Sequence, residues 1–301
     1  MLVAYLSLQA LTLHSAISLS ILTDPADTIY DAVYSQLKRT ITDSESSLSK
    51  AAAIHTLGVS TFYGGASLEA TQETMEFFIE IVESDGNSVG AGDDATVVTA
   101  AVEEWAFLAT QLDDVEEATE VAMDAFVEQL SSAHPGLQIA AGENIALLYE
   151  KSYTELEEDE EPPERSDLDD LDDELEQGGP VMVKRYQVYR REDQLKRELS
   201  LLANISGKSI SKKDRKNLHM NFADILNTVE HPTLGPRYQK AINKETNKSY
   251  GSRLTVRIRD VGEMKIDRWW KFHRLQALRR VLQGGFVVHY ENNRVVFDTL
   301  P

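Results

Sequence analysis

Four cations, Lys212, Lys213, Arg215 and Lys216, crowd the start of a helix predicted from the apolar spacing of Leu218, Phe222, Ile225, Leu226 and Val229. Ser211 followed by Asp214 gives that helix a capping-box-like beginning. Positive side chains at a helix N-terminus oppose its dipole, each at a cost of roughly a few tenths of a kcal/mol. An anion held against them reverses the penalty, and phosphate suits a cluster of Lys and Arg. Lys208 lies just upstream and extends the same tract. A nuclear-import tract or plain surface charge would use the same residues.

Two further segments carry the same chemistry. In residues 253–266, Leu254, Val256 and Ile258 alternate with Thr255, Arg257 and Arg259, which predicts a strand with one apolar and one basic face. Residues 260–263 make a plausible turn into a second short strand. A last helix is expected from about Asp267 to the Gly284-Gly285 stop. On its helical wheel Trp270, Ala277 and Val281 share one side, while Arg268, Lys271 and Arg279 fall on the other with Phe272. Trp270 is therefore expected in the core. Trp269 stays open for stacking on a base, an interaction worth about 1–3 kcal/mol. The RNP, KH, zinc-finger and helix-turn-helix signatures are missing from the sequence, so the chemistry is phosphate contact without base readout.

Catalytic and metal chemistry find little support. The chain has no cysteine, which removes thiolate ligands, disulfides and cysteine nucleophiles and fits a reducing compartment. Its seven histidines are scattered, with no pair at i,i+4 spacing. Neither a phosphate-binding loop nor a nucleophile–base pair is visible, so the reading is of a protein that is not an enzyme and needs no cofactor. The charge is divided sharply. Residues 1–180 hold 5 Lys/Arg against 38 Asp/Glu, a net of −33, and residues 181–301 hold 25 against 12, a net of +13. The overall −20 thus conceals a basic half whose field attracts polyanions.

The elements that must carry these groups read as mainly α. Residues 1–22 are apolar but lack a leading Lys or Arg, and Gln9, His14 and four serines interrupt them, which favours a buried helix over a signal peptide or membrane span. Helices are expected at about 26–42, 46–63, 67–83, 94–111, 114–131 and 135–153. Alternate helices then start at a period of about 40–47 residues. Paired alanines (Ala52-Ala53, Ala100-Ala101, Ala140-Ala141) recur early in one helix of each pair. The pattern predicts an armadillo- or HEAT-like right-handed α-solenoid over 1–153, with an irregular helical bundle as the alternative. Its acidic surface could take a basic partner. Residues 154–180 read as an acidic disordered linker, which could also fold back on the basic half as a polyanion mimic. A small basic α+β domain over 181–301 follows, opening with a helix at about 184–204 that carries Lys184, Arg185, Arg190, Arg191, Lys196 and Arg197.

Three stretches together resemble the interferon-related developmental regulator (IFRD) family. They are Ser211–Asn217 with Asn221–Glu230, then Ile266–Trp269 with Ala277–Gly285 and Val288-His289, and Lys50–Gly65. The resemblance spans nearly the whole chain, with a shorter N-terminal superhelix and an extra Trp270 as departures. It implies an armadillo-like N-terminal domain and a small basic C-terminal domain. It also implies two functional expectations. One is a factor that binds translationally silent ribosomes, through rRNA and ribosomal proteins, and occupies tRNA and mRNA space near the P and E sites. The other is a nuclear transcriptional co-regulator that recruits corepressor complexes with histone deacetylases through its helical domain. The expected location is cytoplasmic, and also nuclear. Lys212, Lys213, Arg215, Lys216 and Arg268 lie in the matching motifs, and their assignment to rRNA rests on charge.

Overall fold

The structure, a computed structural model, describes residues 28–157, 160, 181–206, 210–237, 254–258 and 262–301. The expected helix in residues 1–22 lies outside them. Six helices open the described chain: α1 (Thr28–Asp43), α2 (Ser47–Tyr63), α3 (Leu68–Glu83), α4 (Ala95–Ala109), α5 (Glu116–Gln129) and α6 (Pro135–Lys151). Local chemistry sets several of their starts. The Ser46 and Ser67 hydroxyls accept from the N–H groups of Ser49 and Ala70, and Asp94 Oδ1 accepts from Thr96 and Val97. Such caps are worth about 1 kcal/mol each.

After α6 come two strands, β1 (Tyr153–Glu155) and β2 (Met182–Lys184), then α7 (Glu192–Ala203) and α8 (Lys212–Glu230). The hairpin β3 (Thr255–Ile258) and β4 (Gly262–Lys265) follows. The chain ends in α9 (Trp269–Leu282), α10 (Phe286–Asn292) and α11 (Arg294–Thr299). The described chain is mostly helical, with helices packed in series as an α-solenoid and two small antiparallel sheets.

Helices α2, α4, α6 and α8 stack on one another as an inner layer, and α1, α3, α5 and α7 each pack on the matching inner helix as an outer layer. Ala53, Ala100, Ala101, Ala140 and Ala141 are buried, as close helix approach requires. One close step is at Gly142. A Cβ there would lie 2.8 Å from Ile225 Cδ1 and 2.9 Å from Phe222 Cε1, so any larger residue would press on both where α8 seats on α6.

Packing therefore crosses the charge boundary. One hydrophobic cluster runs from Tyr30 in α1 through Leu195, Phe222 and Val229 to Trp269. The pair α7–α8, expected in a separate basic domain, extends the solenoid by a fourth step. Two sequence expectations change here. The helix expected from about 184 begins only at Glu192, and Lys184 instead ends a strand, because 182–184 pair with 153–155 in the register Tyr153–Lys184, Thr154–Val183, Glu155–Met182. Residues 153–155, assigned in part to the linker, belong to that ladder. Arg185 is used there, donating to Ser152 O by its N–H and to Thr154, Glu155 O and Glu160 by its guanidinium. Residues 161–180, the bulk of the expected linker, lie outside the described residues.

Helix α9 lies across the inner faces of α4 and α6, with β3–β4, α10 and α11 beside it. Val59 of α2 and Phe107 of α4 join Val256, Ile258, Ile266, Leu278 and Phe286 in a second apolar cluster. Four polar clasps fix α9. Glu150 of α6 receives the backbone N–H groups of Trp269 and Trp270 at 2.8 and 3.1 Å, and so supplies the N-cap that Arg268 does not. His273 Nε2 meets Glu143 O at 3.3 Å. Arg274 donates to Thr110 Oγ1, Thr110 O and Thr299 O. Arg280 pairs with Glu103 at 2.8 Å and with Glu104 at 2.5 Å.

Glu104 has no exposed side-chain surface, and His55 Nδ1 holds the same Oε1 at 2.8 Å. Its Oε2 faces Gly58, where a Cβ would sit 2.1 Å away. Gly58→Ala should push the Glu104 carboxylate out of the cluster and leave Arg280 with Glu103 alone. Breaking a buried pair from one side costs about 3–5 kcal/mol, against about 1 kcal/mol gained in helix propensity. Urea denaturation should therefore show a lower midpoint for this variant, by a net loss of about 2 kcal/mol or more.

Burial pushes the Glu143 carboxyl up to about 8, with the nearby carboxylates of Glu103 and Asp224 adding to it. Burial likewise pushes Glu150 up to about 7, against the pull of the Trp269 N–H. A carboxyl raised on folding adds stability below its ordinary range near 4.5, and that stability is lost as pH rises through the folded value. Each carboxyl should remove on the order of 1 kcal/mol between pH 6.5 and 8.5. The melting temperature should fall over that range, and Glu143→Gln should flatten the fall.

Candidate nucleic-acid interface

The head of α8 presents the most open cations. Lys212, Lys213 and Lys216 are exposed, and none makes an ion pair among the described residues. Ser211 caps the helix, accepting from the Asp214 N–H at 3.1 Å and donating to Asp214 Oδ2 at 2.6 Å. Asp214 thereby faces back to the cap, and the lysines are left to solvent. Arg215 is half-buried, and its Nη2 donates to Ile210 O at 3.2 Å, which ties down the chain entering the helix. Three point charges facing water on one helical turn can hold a phosphate backbone, with no planar fork aimed at a base edge.

The β3–β4 hairpin shows the expected alternation, with Val256 and Ile258 buried and Thr255 and Arg257 exposed. Arg257 stands opposite Glu263 in the register, so part of its charge is offset across the strands. Lys265, opposite Thr255, adds an exposed cation that the sequence reading did not include. Lys208 and Arg259 lie outside the described residues.

Helix α9 departs most from expectation. Trp269 is 2% exposed and its indole N–H donates to Thr228 Oγ1 at 2.8 Å, so it is core and cannot stack on a base. Trp270 is the half-buried one, lying beneath Arg274 at 4.9 Å and Lys271 at 5.4 Å from its ring centroid. The assignments swap because α9 is contacted from several sides at once, so one apolar stripe does not define its buried face. Arg268 donates to Thr233 O at 2.9 Å and Lys271 pairs with Asp267 at 3.5 Å, so both serve local structure. Arg279 alone of the three is exposed.

The expected residues do not converge on one site. Lys212 and Thr228 stand sixteen residues apart on α8, roughly 24 Å along its axis, and Thr228 marks the start of α9. Of the expected residues, Lys212, Lys213 and Lys216 form a patch at the head of α8, and Arg257 and Arg279 are exposed away from it. Sequence reasoning missed Glu104, Glu150, Arg274 and Arg280, which hold the basic helix to the acidic layer. One signal was available, since Glu103-Glu104 interrupts an otherwise apolar α4. Among the described residues there is no group of three or more His, Asp or Glu placed to hold a metal ion, and no helix is long and apolar enough to cross a membrane.

Comparison with known proteins adds identity to this geometry. The family model described as interferon-related developmental regulator (IFRD) matches residues 8–230, ending with the last residue of α8. An uncharacterized protein of Schizosaccharomyces pombe is 31% identical over 224 residues, which cover 74% of this chain and 44% of that relative. The chain therefore spans less than half the length of the curated relative it matches. With the match running through all four steps of the solenoid and the lysine-rich head of its last helix, the chain belongs to the interferon-related developmental regulator family.

Proposed function

We propose that this protein is a non-enzymatic ribosome-binding factor that keeps inactive ribosomes silent by occupying tRNA and mRNA space in the P and E region. The observation that carries the reading is the exposed trio Lys212, Lys213 and Lys216 at the head of α8, inside a motif that resembles the family's own. Three cations opposing a helix dipole are stabilised when phosphate lies against them. Arg257 and Arg279 offer further phosphate contacts. Arg268 and Trp269 leave the proposed contact set, because both are engaged inside the fold.

The competing reading is a nuclear co-regulator scaffold that recruits corepressor and histone deacetylase complexes through the helical domain. Its support is the acidic outer layer, which could hold a protein partner, while the inner faces of α4 and α6 are covered by α9. Sedimentation of the full chain with purified 80S monosomes separates the two. On the ribosome reading the protein travels with monosomes at low salt, and binding falls steeply as salt rises. Reversing Lys212, Lys213 and Lys216 to Glu should weaken binding at least about tenfold, and each lost phosphate contact should flatten the log–log salt slope by about 0.7–0.9. A wild-type protein that stays at the top of a low-salt gradient, or a triple variant that binds as tightly, would overturn it.

A further inference from the structure

The outer layer contains a repeated motif that one step leaves incomplete. Between α1 and α3, Lys38 Nζ lies 4.7 Å from the Phe77 ring centroid. In the segment leading into α7, Arg191 pairs with Asp124 of α5 at 3.0 Å and lies 5.4 Å from the Tyr189 ring centroid. In both places the chain itself supplies a cation against an aromatic ring. The groove between α3 and α5 is built of the same materials without that cation. About 210 Å³ of space there is lined by Met75, Glu76, Ile79, Trp105, Glu117 and Val121. No Lys or Arg occurs anywhere from Ala51 to Glu150.

The two walls are chemically uniform. Glu73, Glu76 and Glu80 are exposed on α3, and Glu117 and Glu120 on α5. Val121 is 51% exposed at the mouth, the one large apolar side chain of α5 left in water. Trp105 forms the floor, held edge-on to Phe126 at 5.0 Å. The volume is below the usual range of about 300–1,000 Å³ for small-molecule sites, and fits one or two side chains. An apolar floor between acidic walls selects a ligand with apolar side chains between cations.

We infer that the α3–α5 groove docks a short segment of a partner protein in which an apolar residue is flanked by Lys or Arg. The apolar side chain packs on Met75, Ile79 and Val121, and the flanking cations meet Glu76 and Glu117. This surface shares no residue with the basic patch on α8, so it stands or falls independently of ribosome binding.

The test uses the full chain and a fluorescein-labelled peptide, KRLLKR, with KRSSKR as its polar counterpart, read by fluorescence anisotropy. KRLLKR should bind saturably and more weakly at high salt, and KRSSKR at least about tenfold more weakly, since the apolar anchor is lost. Glu76→Lys together with Glu117→Lys should weaken KRLLKR binding about tenfold or more, whereas Asp31→Lys together with Glu69→Lys, outside the groove, should change it less than about twofold. Val121→Ser should weaken KRLLKR and leave KRSSKR unaffected. All five positions are exposed, and an unchanged melting temperature confirms that each variant is folded. Absence of binding, equal affinity for the two peptides, or equal effects of groove and control reversals would each overturn the inference.

Discussion

The buried pairing of Glu104 with Arg280 is the constraint around which the rest of the structure is arranged. It brings a carboxylate with no exposed surface under a basic helix that arrives from the other end of the chain. The arrangement requires Gly58 on α2, because any side chain there would fill the space of Oε2. It also requires α9 to run in one direction only, with Glu150 at its N-terminus and Arg280 near its C-terminus. Glu150 supplies charge where the helix dipole is positive and accepts two otherwise orphaned N–H groups. Its carboxylate thus caps a helix 119 residues away in sequence. Acidic layer and basic helix are complementary at both ends, so the division of charge along the chain is in part a folding device.

That arrangement changes what the basic half can offer to a ligand. Arg280 neutralises carboxylates of the inner layer, Arg274, Arg268 and Arg215 satisfy carbonyls, and Arg185 binds β1 and Glu160. The arginines, with planar forks suited to fixed acceptors, are the cations recruited into structure. The lysines of α8 remain at the surface. One lysine elsewhere makes the contrast: Lys50 is buried and donates to the carbonyls of Ile41, Thr42 and Val89, which joins the end of α1 to the turn after α3. A count of cations therefore overstates the interface, and the head of α8 is where three exposed lysines without ion pairs among the described residues fall within one helical turn.

The solenoid was legible from local signals. Ser46, Ser67 and Asp94 begin helices, Gly64-Gly65 and Pro135 punctuate them, and the expected limits of α1 to α6 agree with the observed ones to within about two residues, the usual scatter of helix ends. What could not be read depended on partners distant in sequence. Residues 182–184 carry no local mark of a strand; their pairing with 153–155 decides it. Trp269 and Trp270 are adjacent and chemically alike, and it is the Trp269 indole that finds a buried partner, Thr228, on another helix. The fourth solenoid step was assigned to the basic domain because α8 changes sign while keeping its apolar face, and charge was the wrong guide to packing.

Charge and packing are thus two separate maps on one chain. The packing map is continuous from α1 to the start of α9 in one apolar cluster, while the charge map breaks at α7. At neutral pH a solenoid with acid on its middle steps and lysine at the head of its last helix carries a dipole along its stacking direction. A polyanion attracts the lysine end and repels the rest, so electrostatic steering would present the molecule end-on and not flat. The acidic outer layer then points away from the polyanion, toward solution, where its grooves stay accessible. Two partners of opposite charge can be held at once on a rigid stack of this kind. The same stack with its charges intermixed would fold as readily, but it would have no preferred end.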